Sequence, residues 1–418
     1  MIRTEDINSI IGISESFLLP ERLMEVLLSG EKECVFDSFL EVESDLSFDW
    51  FTNYFQEEHS NRNAMMQDFT PKELTQLLPG LAQAPYTKVL DVCAGTGGLS
   101  IGAWNKSPDA YFVCEELSQR ALPLLIFNMA IRNVNGYIIN KNILSGEVLG
   151  VYKLSKQEKY SEIIEECNEP EIHDFDLILS NPPYSLKYEW KAVPEWLVGY
   201  TVPPTKAADY AFILYGMSKM AADATMCVIL PRGVLFRGQK EGAIRKQLIQ
   251  DKRIRSIIGL PDKLFLNTQI PVCVMVFGKN ESEIFFIDAS REYRKGPKQN
   301  VLRKEDVEKI VNTQQARKNV EKYSKLISYQ ELETNDFNLN IPRYVDTSEE
   351  VELPKIGKVI RDLMEIDDQI QKTEAQLSKM LKNLKALDSE DQKAINAFAG
   401  YCSKKKVNYN YEQLSLNL

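Results

Sequence analysis

Histidine is nearly missing from this 418-residue chain, with His59 and His173 as the only two. That scarcity argues against a histidine-based metal site and against an imidazole acid–base relay. The seven cysteines include no C-x-x-C pair, so the commonest zinc and dithiol signatures are absent. Cys93, Cys114, Cys227 and Cys273 fall in expected strands or turns, which suits reduced, buried thiols in a cytoplasmic protein. No apolar run approaches the roughly 18 residues of a membrane span, and MIRTEDINSI at the start has no apolar leader core. A soluble, cytoplasmic protein without membrane contact is expected. Positive charge is also in deficit: 50 Lys and Arg face 60 Asp and Glu, a net charge of −10. Phosphate contacts supply most nonspecific nucleic-acid affinity, so this balance argues against tight unaided duplex binding. Basic residues do gather in REYRKGPKQNVLRK, residues 291 to 304, as either a solvated face or a DNA-facing patch. An acidic whole with one basic edge implies that a second polypeptide supplies much of any DNA grip.

Apolar content of 44% with 26% charged residues is ordinary globular composition, and the length suggests two or three domains. Residues 1–64 read as short helices, with Leu19, Leu23, Val26 and Leu27 on one apolar face; the aromatic FDWFTNYF that follows Ser47 should dock them onto the next region. Residues 65–345 alternate strands with helices. The strands are expected at Lys88–Val92, Tyr111–Cys114, Tyr137–Ile139, Leu177–Leu179, Met226–Leu230, Ser256–Gly259 and Val272–Phe277. Seven strands with helical crossovers indicate an α/β fold with a doubly wound, mostly parallel, Rossmann-like sheet, and ligands over the carboxyl ends of its strands. Residues 151–174 read as a charged insertion or exposed helix, and residues 186–207 as a long loop able to serve as a lid. In the tail, residues 346–418, Ile356, Val359, Leu363, Ile366, Ile370, Thr373, Leu377, Met380, Leu384 and Leu387 alternate steps of three and four. That is a heptad seam with one polar interruption at Thr373. Its partner could be another subunit's helix, a second copy or a fold-back helix.

The most telling stretch is FDLILSNPPYSLKYEW, residues 175 to 190. An apolar run, Phe175 to Leu179, stops at Asn181-Pro182-Pro183-Tyr184. Two prolines remove two backbone donors and hold the chain extended. A stiff loop at a strand's carboxyl end then presents an amide, free carbonyls and an aromatic ring. Asn181 Oδ1 and the Pro182 carbonyl can accept from one amine, leaving its lone pair free to attack, while Tyr184 stacks on the ring that carries it. A proline-terminated strand with a packed tyrosine is the plainer alternative.

TKVLDVCAGTGGLSIGAW, residues 87 to 104, reads as strand, glycine turn and helix. Gly95, Gly97 and Gly98 permit close backbone approach to a ligand. A P-loop would need lysine after the glycines, and Gly98-Leu99-Ser100 has none. A dinucleotide fingerprint would need a third glycine where Ser100 stands. What remains is D-x-x-x-G-x-G, whose acid, Asp91, can hold an ammonium group. The next strand ends in Glu115-Glu116, at the position that commonly takes ribose hydroxyls, and Glu116 is the better placed. Ammonium plus ribose describes an amino-acid nucleoside such as S-adenosylmethionine.

These motifs, in this order, resemble those of adenine-specific DNA methyltransferases, and more narrowly the modification subunit of type I restriction-modification systems. MQDFTPKEL, DVCAGTGG and SNPPYSLKYEW carry the resemblance. So does the stretch from ADYAFILYGM through VILPRGVLFRGQKEGAIRKQLI to IIGLPDKLFLNTQIPVCVMVFGK, residues 208 to 279. The resemblance as a whole covers roughly residues 48 to 345. The resemblance implies that Phe69, Thr70 and Pro71 border the methionine end of the cofactor. It implies that Asp91, Ala94, Gly95, Thr96 and Gly97 form the cofactor's floor, and that Glu116 holds the ribose. Asn181 and the carbonyl of Pro182 would bind the target amine, with Pro183 stiffening the loop and Tyr184 stacking on a flipped adenine of duplex DNA. Further implied partners are a specificity subunit meeting the C-terminal helix, a second modification subunit and a restriction subunit; no metal is implied.

Three departures stand out. The acid that usually meets the cofactor's adenine is replaced by Asn142, so weaker cofactor binding is expected. Gln67-Asp68-Phe69-Thr70-Pro71 differs from the usual Gln-Phe-Phe-Thr-Pro. The helical region ahead of the sheet is shorter than is common, which weakens its expected part in clamping DNA. Rivals sharing the NPPY chemistry act on RNA or on a protein glutamine, and a cofactor-binding scaffold without catalysis is a different class again.

Overall fold

Alternate residues of the central strands go to opposite faces, and both faces are apolar. Val89, Leu177, Leu179, Cys227 and Ile229 join one buried cluster, whereas Leu90, Ile178, Met226, Val228 and Leu230 join another. A strand buried on both sides must lie inside a sheet with helices on either face. The computed structural model describes residues 2–52, 54, 70–266, 268–280, 283–347 and 355–403. The chain divides into two compact units, Met1–Thr347 and Ser348–Leu418.

The strands of the first unit are β1 Lys88–Val92, β2 Tyr111–Glu116, β3 Asn135–Asn142, β4 Glu147–Ser155, β5 Glu162–Glu166, β6 Phe175–Ser180, β7 Met220–Pro231, β8 Ile254–Gly259, β9 Val272–Phe277, β10 Ile284–Asp288, β11 Arg294–Lys295, β12 Asn300–Val301 and β13 Ser324–Ile327. Eleven form one sheet in the order β13-β10-β8-β9-β7-β6-β1-β2-β3-β4-β5. Pairing is parallel from β3 through β2, β1 and β6 to β7, and again between β8 and β10; β9 runs antiparallel to both its neighbours. The carboxyl ends of β1, β2, β3, β6, β7, β8 and β10 therefore share one edge. Helices Lys72–Gly80, Gly98–Trp104 and Leu122–Ile131 cover one face, and Asp209–Ser218 and Gln239–Gln250 the other.

All seven expected strands are present within an α/β doubly wound sheet, but the sheet has four more. Residues 151–174 hold no helix: β4 and β5 add antiparallel strands beyond β3. Their charges misled because they occupy the exposed positions of the last two strands, and on the edge strand β5 exposed charge also discourages stray pairing, while Val151, Leu154 and Ile163 are buried. Strands β10 and β13 extend the other edge.

Residues 48–52 dock onto helix Leu122–Ile131 and the glycine loop, as their aromatics suggest. The rings of Phe39, Trp50 and Phe51 surround Phe127 at centroid distances of 4.7, 6.4 and 5.1 Å. Asp49 supplies the polar half of the joint, accepting from Phe51 N, Thr52 Oγ1, Thr96 Oγ1 and Asn128 Nδ2. Arg132 completes it by donating to the carbonyls of Leu46 and Phe48, and its burial pulls the guanidinium down to about 9.

The second unit is a helical hairpin of Ile356–Lys382 and Ser389–Cys402. Ser378 Oγ donates to the Ala399 carbonyl across it at 2.8 Å, and Asp388 caps the second helix through Glu390 N and Asp391 N. The seam enters a shorter helix than its spacing suggests, because Leu384 and Leu387 fall in the turn. Ile356, Leu363, Ile366, Ile370 and Met380 are exposed, so the fold-back helix leaves most of the seam uncovered within its own unit. Among the described residues no helix is long and apolar enough to cross a membrane.

Candidate active site

Strand β1 ends at Val92 and the chain turns through Cys93, a non-glycine residue with φ of 65°, and Gly97, with φ of 92°. The Gly97 torsion favours glycine, and a Cβ there would also press on Leu125 Cδ1 at 2.8 Å. The loop then feeds helix Gly98–Trp104. One register step away, Val92 faces Ser180 at the end of β6, and Ser180 Oγ donates to the Val92 carbonyl at 2.6 Å. The glycine loop and Asn181-Pro182-Pro183-Tyr184 thus leave neighbouring strands side by side and open onto one cavity of about 350 Å³.

Thr70, Ala94, Gly95, Thr96, Glu116, Asn142, Asn181, Pro182, Pro183 and Tyr184 all line that cavity. Glu116 is 4% exposed, and its Oε2 and Oε1 accept from Gly95 N at 2.7 Å and Ser118 N at 2.6 Å. These two backbone donors fix the carboxylate in place. Glu115, one residue earlier, faces the opposite side as strand geometry demands. It accepts from Tyr215 Oη at 2.5 Å and lies 3.8 Å from Lys141 Nζ; burial raises its carboxyl, opposed by Lys141 and Tyr215.

Asp91 and Gly97 do not line the cavity. Asp91 lies one layer behind the wall, fully buried, its Oδ2 accepting from Ser100 N and Ser100 Oγ at 3.1 and 2.7 Å. Its Oδ1 has no partner. Burial pushes this carboxyl up to about 7, against the pull of Ser100 and with a smaller push from Glu116. Pro71 is likewise outside the wall, at the start of helix Lys72–Gly80, and Phe69 lies outside the described residues. Asn142 reaches the cavity, but its Oδ1 accepts from Leu144 N and Ser145 N at 3.1 and 3.3 Å. The amide oxygen expected to meet a ligand therefore holds a turn instead.

Among the described residues, two hydrogen bonds orient the Asn181 amide. Its Nδ2 donates to Thr70 Oγ1 at 2.9 Å, and Tyr184 Oη donates to its Oδ1 at 2.8 Å. Tyr184 meets Phe265 edge-on at 6.0 Å. Beyond it, Ser185 N donates to Asp209 Oδ1 at 2.8 Å, and Arg237 Nη2 to Asp209 Oδ2 at 3.0 Å, which ties the exit of the loop to the next helix. Residues 186–207 fold back on themselves: Tyr188 N donates to the Thr205 carbonyl, Ala208 N to the Leu186 carbonyl and Trp190 Nε1 to the Pro203 carbonyl.

Sequence reasoning missed several wall residues: Thr52, Cys93, Leu117, Lys141, Ile143, Leu144, Leu186 and Phe212. Leu117 and Ile143 follow Glu116 and Asn142 directly, so the rule that walls continue one residue past a strand's polar end would have found them. Asp49 was hidden among the aromatics of its segment. No group of three or more His, Cys, Asp or Glu among the described residues is arranged to hold a metal.

Comparison with known proteins bears on what such a cavity belongs to. Residues 46–353 match the N-6 DNA Methylase family. The chain is similar to the Type I restriction enzyme MjaVIII methylase subunit of Methanocaldococcus jannaschii, with 28% identity over 77% of this chain and 56% of that protein. It is similar also to the Type I restriction enzyme MpnII methylase subunit of Mycoplasma pneumoniae, with 26% identity over 76% of this chain and 60% of that one. It thus spans rather more than half the length of these curated relatives. A solved type I restriction-modification system methyltransferase subunit from Streptococcus thermophilus has 32% identity and a TM-score of 0.58, over 67% of this chain and 59% of that one. With the family match covering the whole sheet and both loops, the chain belongs to the N-6 DNA methylase family.

Proposed function

We propose that this chain transfers a methyl group from S-adenosylmethionine to the exocyclic N6 amine of adenine in DNA, as the modification subunit of a cytoplasmic type I restriction-modification system. The reading rests on one observation: the glycine loop at Gly95 and the buried carboxylate of Glu116 that it holds face the same cavity as Asn181 and Tyr184.

The residues fit the cofactor. Asp91 Oδ1, behind the cavity wall, is a buried acceptor without a partner among the described residues, and a buried carboxylate so placed is costly until a positive charge comes near. Glu116 is a carboxylate positioned by two backbone donors at the cavity wall, which suits a ribose diol. Asn142, Leu117, Ile143 and Leu144 form a mostly apolar end suited to a purine. When bound, S-adenosylmethionine supplies a methyl group on a sulfonium, whose sulfur leaves as a neutral thioether.

The protein's own part is alignment. The target adenine must leave the helical stack, because its amine is otherwise paired and out of line. Asn181 Oδ1 and the Pro182 carbonyl accept from the amine's two N–H groups, which concentrates electron density on nitrogen. Thr70 fixes which end of the Asn181 amide faces the amine. The phenol of Tyr184 must give up Asn181 Oδ1 as its ring turns to stack on the base. Holding nucleophile, methyl carbon and leaving sulfur in line accounts for most of the acceleration. After the N–C bond forms, the attacked nitrogen is acidic and a proton passes to solvent, so no strong base is required.

Net charge of −10 and an uncovered apolar seam on helix Ile356–Lys382 support a partner that brings DNA affinity and a helix, the role of a specificity subunit. A second modification subunit and a restriction subunit complete such a system. The test is tritiated methyl transfer to duplex DNA, RNA and release factor, with and without the specificity subunit. N6-methyladenine in DNA, dependent on that subunit, is expected. Label in RNA or protein alone would replace the substrate, transfer to nothing would leave a scaffold, and efficient site-specific methylation by the lone chain would remove the partner.

A further inference from the structure

The basic stretch at residues 291–304 carries six basic residues against one acidic residue in an otherwise acidic protein. It forms a two-stranded ribbon, β11 against β12, with Arg294 opposite Val301 and Lys295 opposite Asn300. Its turn is closed by Gly296 N donating to the Gln299 carbonyl at 3.0 Å. A Cβ on Gly296 would lie 2.5 Å from that carbonyl oxygen, so the tip is a defined turn.

The ribbon is bound to the loop that carries Phe265, the ring packed against Tyr184. Buried Asn300 donates through N to the Lys263 carbonyl at 2.8 Å, and through Nδ2 to the carbonyl and Oδ1 of Asp262 at 2.9 and 3.0 Å. Two residues past Lys263 is Phe265, whose ring meets Tyr184. The ribbon also follows the carboxyl end of β10, on the sheet edge that carries the cavity. Lys263, Arg294, Lys295 and Lys298 are exposed, and among the described residues none of the four makes an ion pair. Four uncompensated cations on a fixed support, joined by one loop to the ring beside the target base, form a surface for a polyanion.

We propose that this ribbon, with Lys263, grips the phosphodiester backbone of duplex DNA next to the extruded adenine. The proposal rests on the methyltransferase reading above and specifies where DNA lies on it. The contacts are to phosphate, so they position the duplex without reading its sequence.

The experiment uses the full chain with its specificity subunit, a fluorescent duplex oligonucleotide and the triple variant Arg294→Ala/Lys295→Ala/Lys298→Ala. Binding by anisotropy is followed across a salt series, with methyl transfer measured alongside. Each lost phosphate contact should reduce the slope of log affinity against log salt by about 0.9, so a decrease of roughly two to three is expected. DNA affinity should fall at least about tenfold near physiological salt, while cofactor affinity and kcat at saturating DNA stay unchanged. Arg294→Lys should keep the wild-type slope. An unaltered slope in the triple variant overturns the proposal, even if assembly with a protein partner is lost, which would make the ribbon a protein contact. Wild-type binding that obeys the slope prediction without methyl transfer would instead defeat the functional reading and leave the ribbon standing.

Discussion

The two halves of the cavity are anchored in different ways. On the side of β1 to β3, Glu116 is held by Gly95 N and Ser118 N, Asn142 by Leu144 N and Ser145 N, and Asp91 in part by Ser100 N, while Thr96 and Lys141 are held by side chains set back from the cavity. On the side of β6, side chains hold one another, with Asn181 between Thr70 and Tyr184. Backbone anchors cannot move without unfolding a turn, whereas a phenol or hydroxyl rotates away at little cost. The first half is preformed for a ligand of fixed shape. The second exchanges an internal hydrogen bond for one to an incoming amine.

The rigid half can be broken at its acids. Asp91 has a carboxyl raised to about 7 by burial, above its ordinary value near 4. A raised acid favours the folded state fully below its unfolded pKa, and that contribution is lost as pH rises through the folded one. Stability of the unliganded protein should therefore decline between about pH 4 and 7 by at most roughly 1.4 kcal/mol per pH unit from this group. Urea unfolding should show Asp91→Asn free of that decline and more stable than wild type at pH 8. An identical pH profile for both would mean the burial is not costly. A smaller effect is expected from Glu116→Ala, which removes an acceptor bonded to two backbone donors. Charged hydrogen bonds of this kind are worth about 1.5–3 kcal/mol, so calorimetry should find S-adenosylmethionine bound roughly 10- to 100-fold more weakly. Loss of turnover with unchanged affinity would move Glu116 to the other half of the comparison. Smallest of all, Asn142→Asp keeps an oxygen for the turn and offers a second, charged one to the cavity. Cofactor affinity should rise by about 1 kcal/mol; a fall would mean the Asn142 amide group itself serves the ligand.

The sheet was legible where side chains alternate over two apolar faces, and Val272–Phe277 matches its expected limits residue for residue. The last two strands on the β3 side were not, because β4 and β5 present charge outward and so mimic an exposed helix. In the site, Asn181, Tyr184, Glu116 and Gly95 were visible because loop chemistry is written in consecutive residues. The position of Asp91 behind the wall was not, since strand register says which face a residue takes but not how deep the next layer lies. Asp49 shows the same limit: its four donors come from residues up to 79 positions away, and no local pattern reports such a meeting. The heptad spacing identified a long tail helix but not its stop, as the turn before Ser389 depends on Asp388 capping the second helix.

The most direct test of a shared cavity with unlike halves is Asn181→Ala, assayed for methyl transfer to DNA and, separately, for S-adenosylmethionine affinity. Turnover should vanish while the dissociation constant stays within about threefold of wild type, a difference of some 0.6 kcal/mol. Retained methylation would contradict the role given to Asn181, and a collapse of both quantities together would contradict the division between the halves.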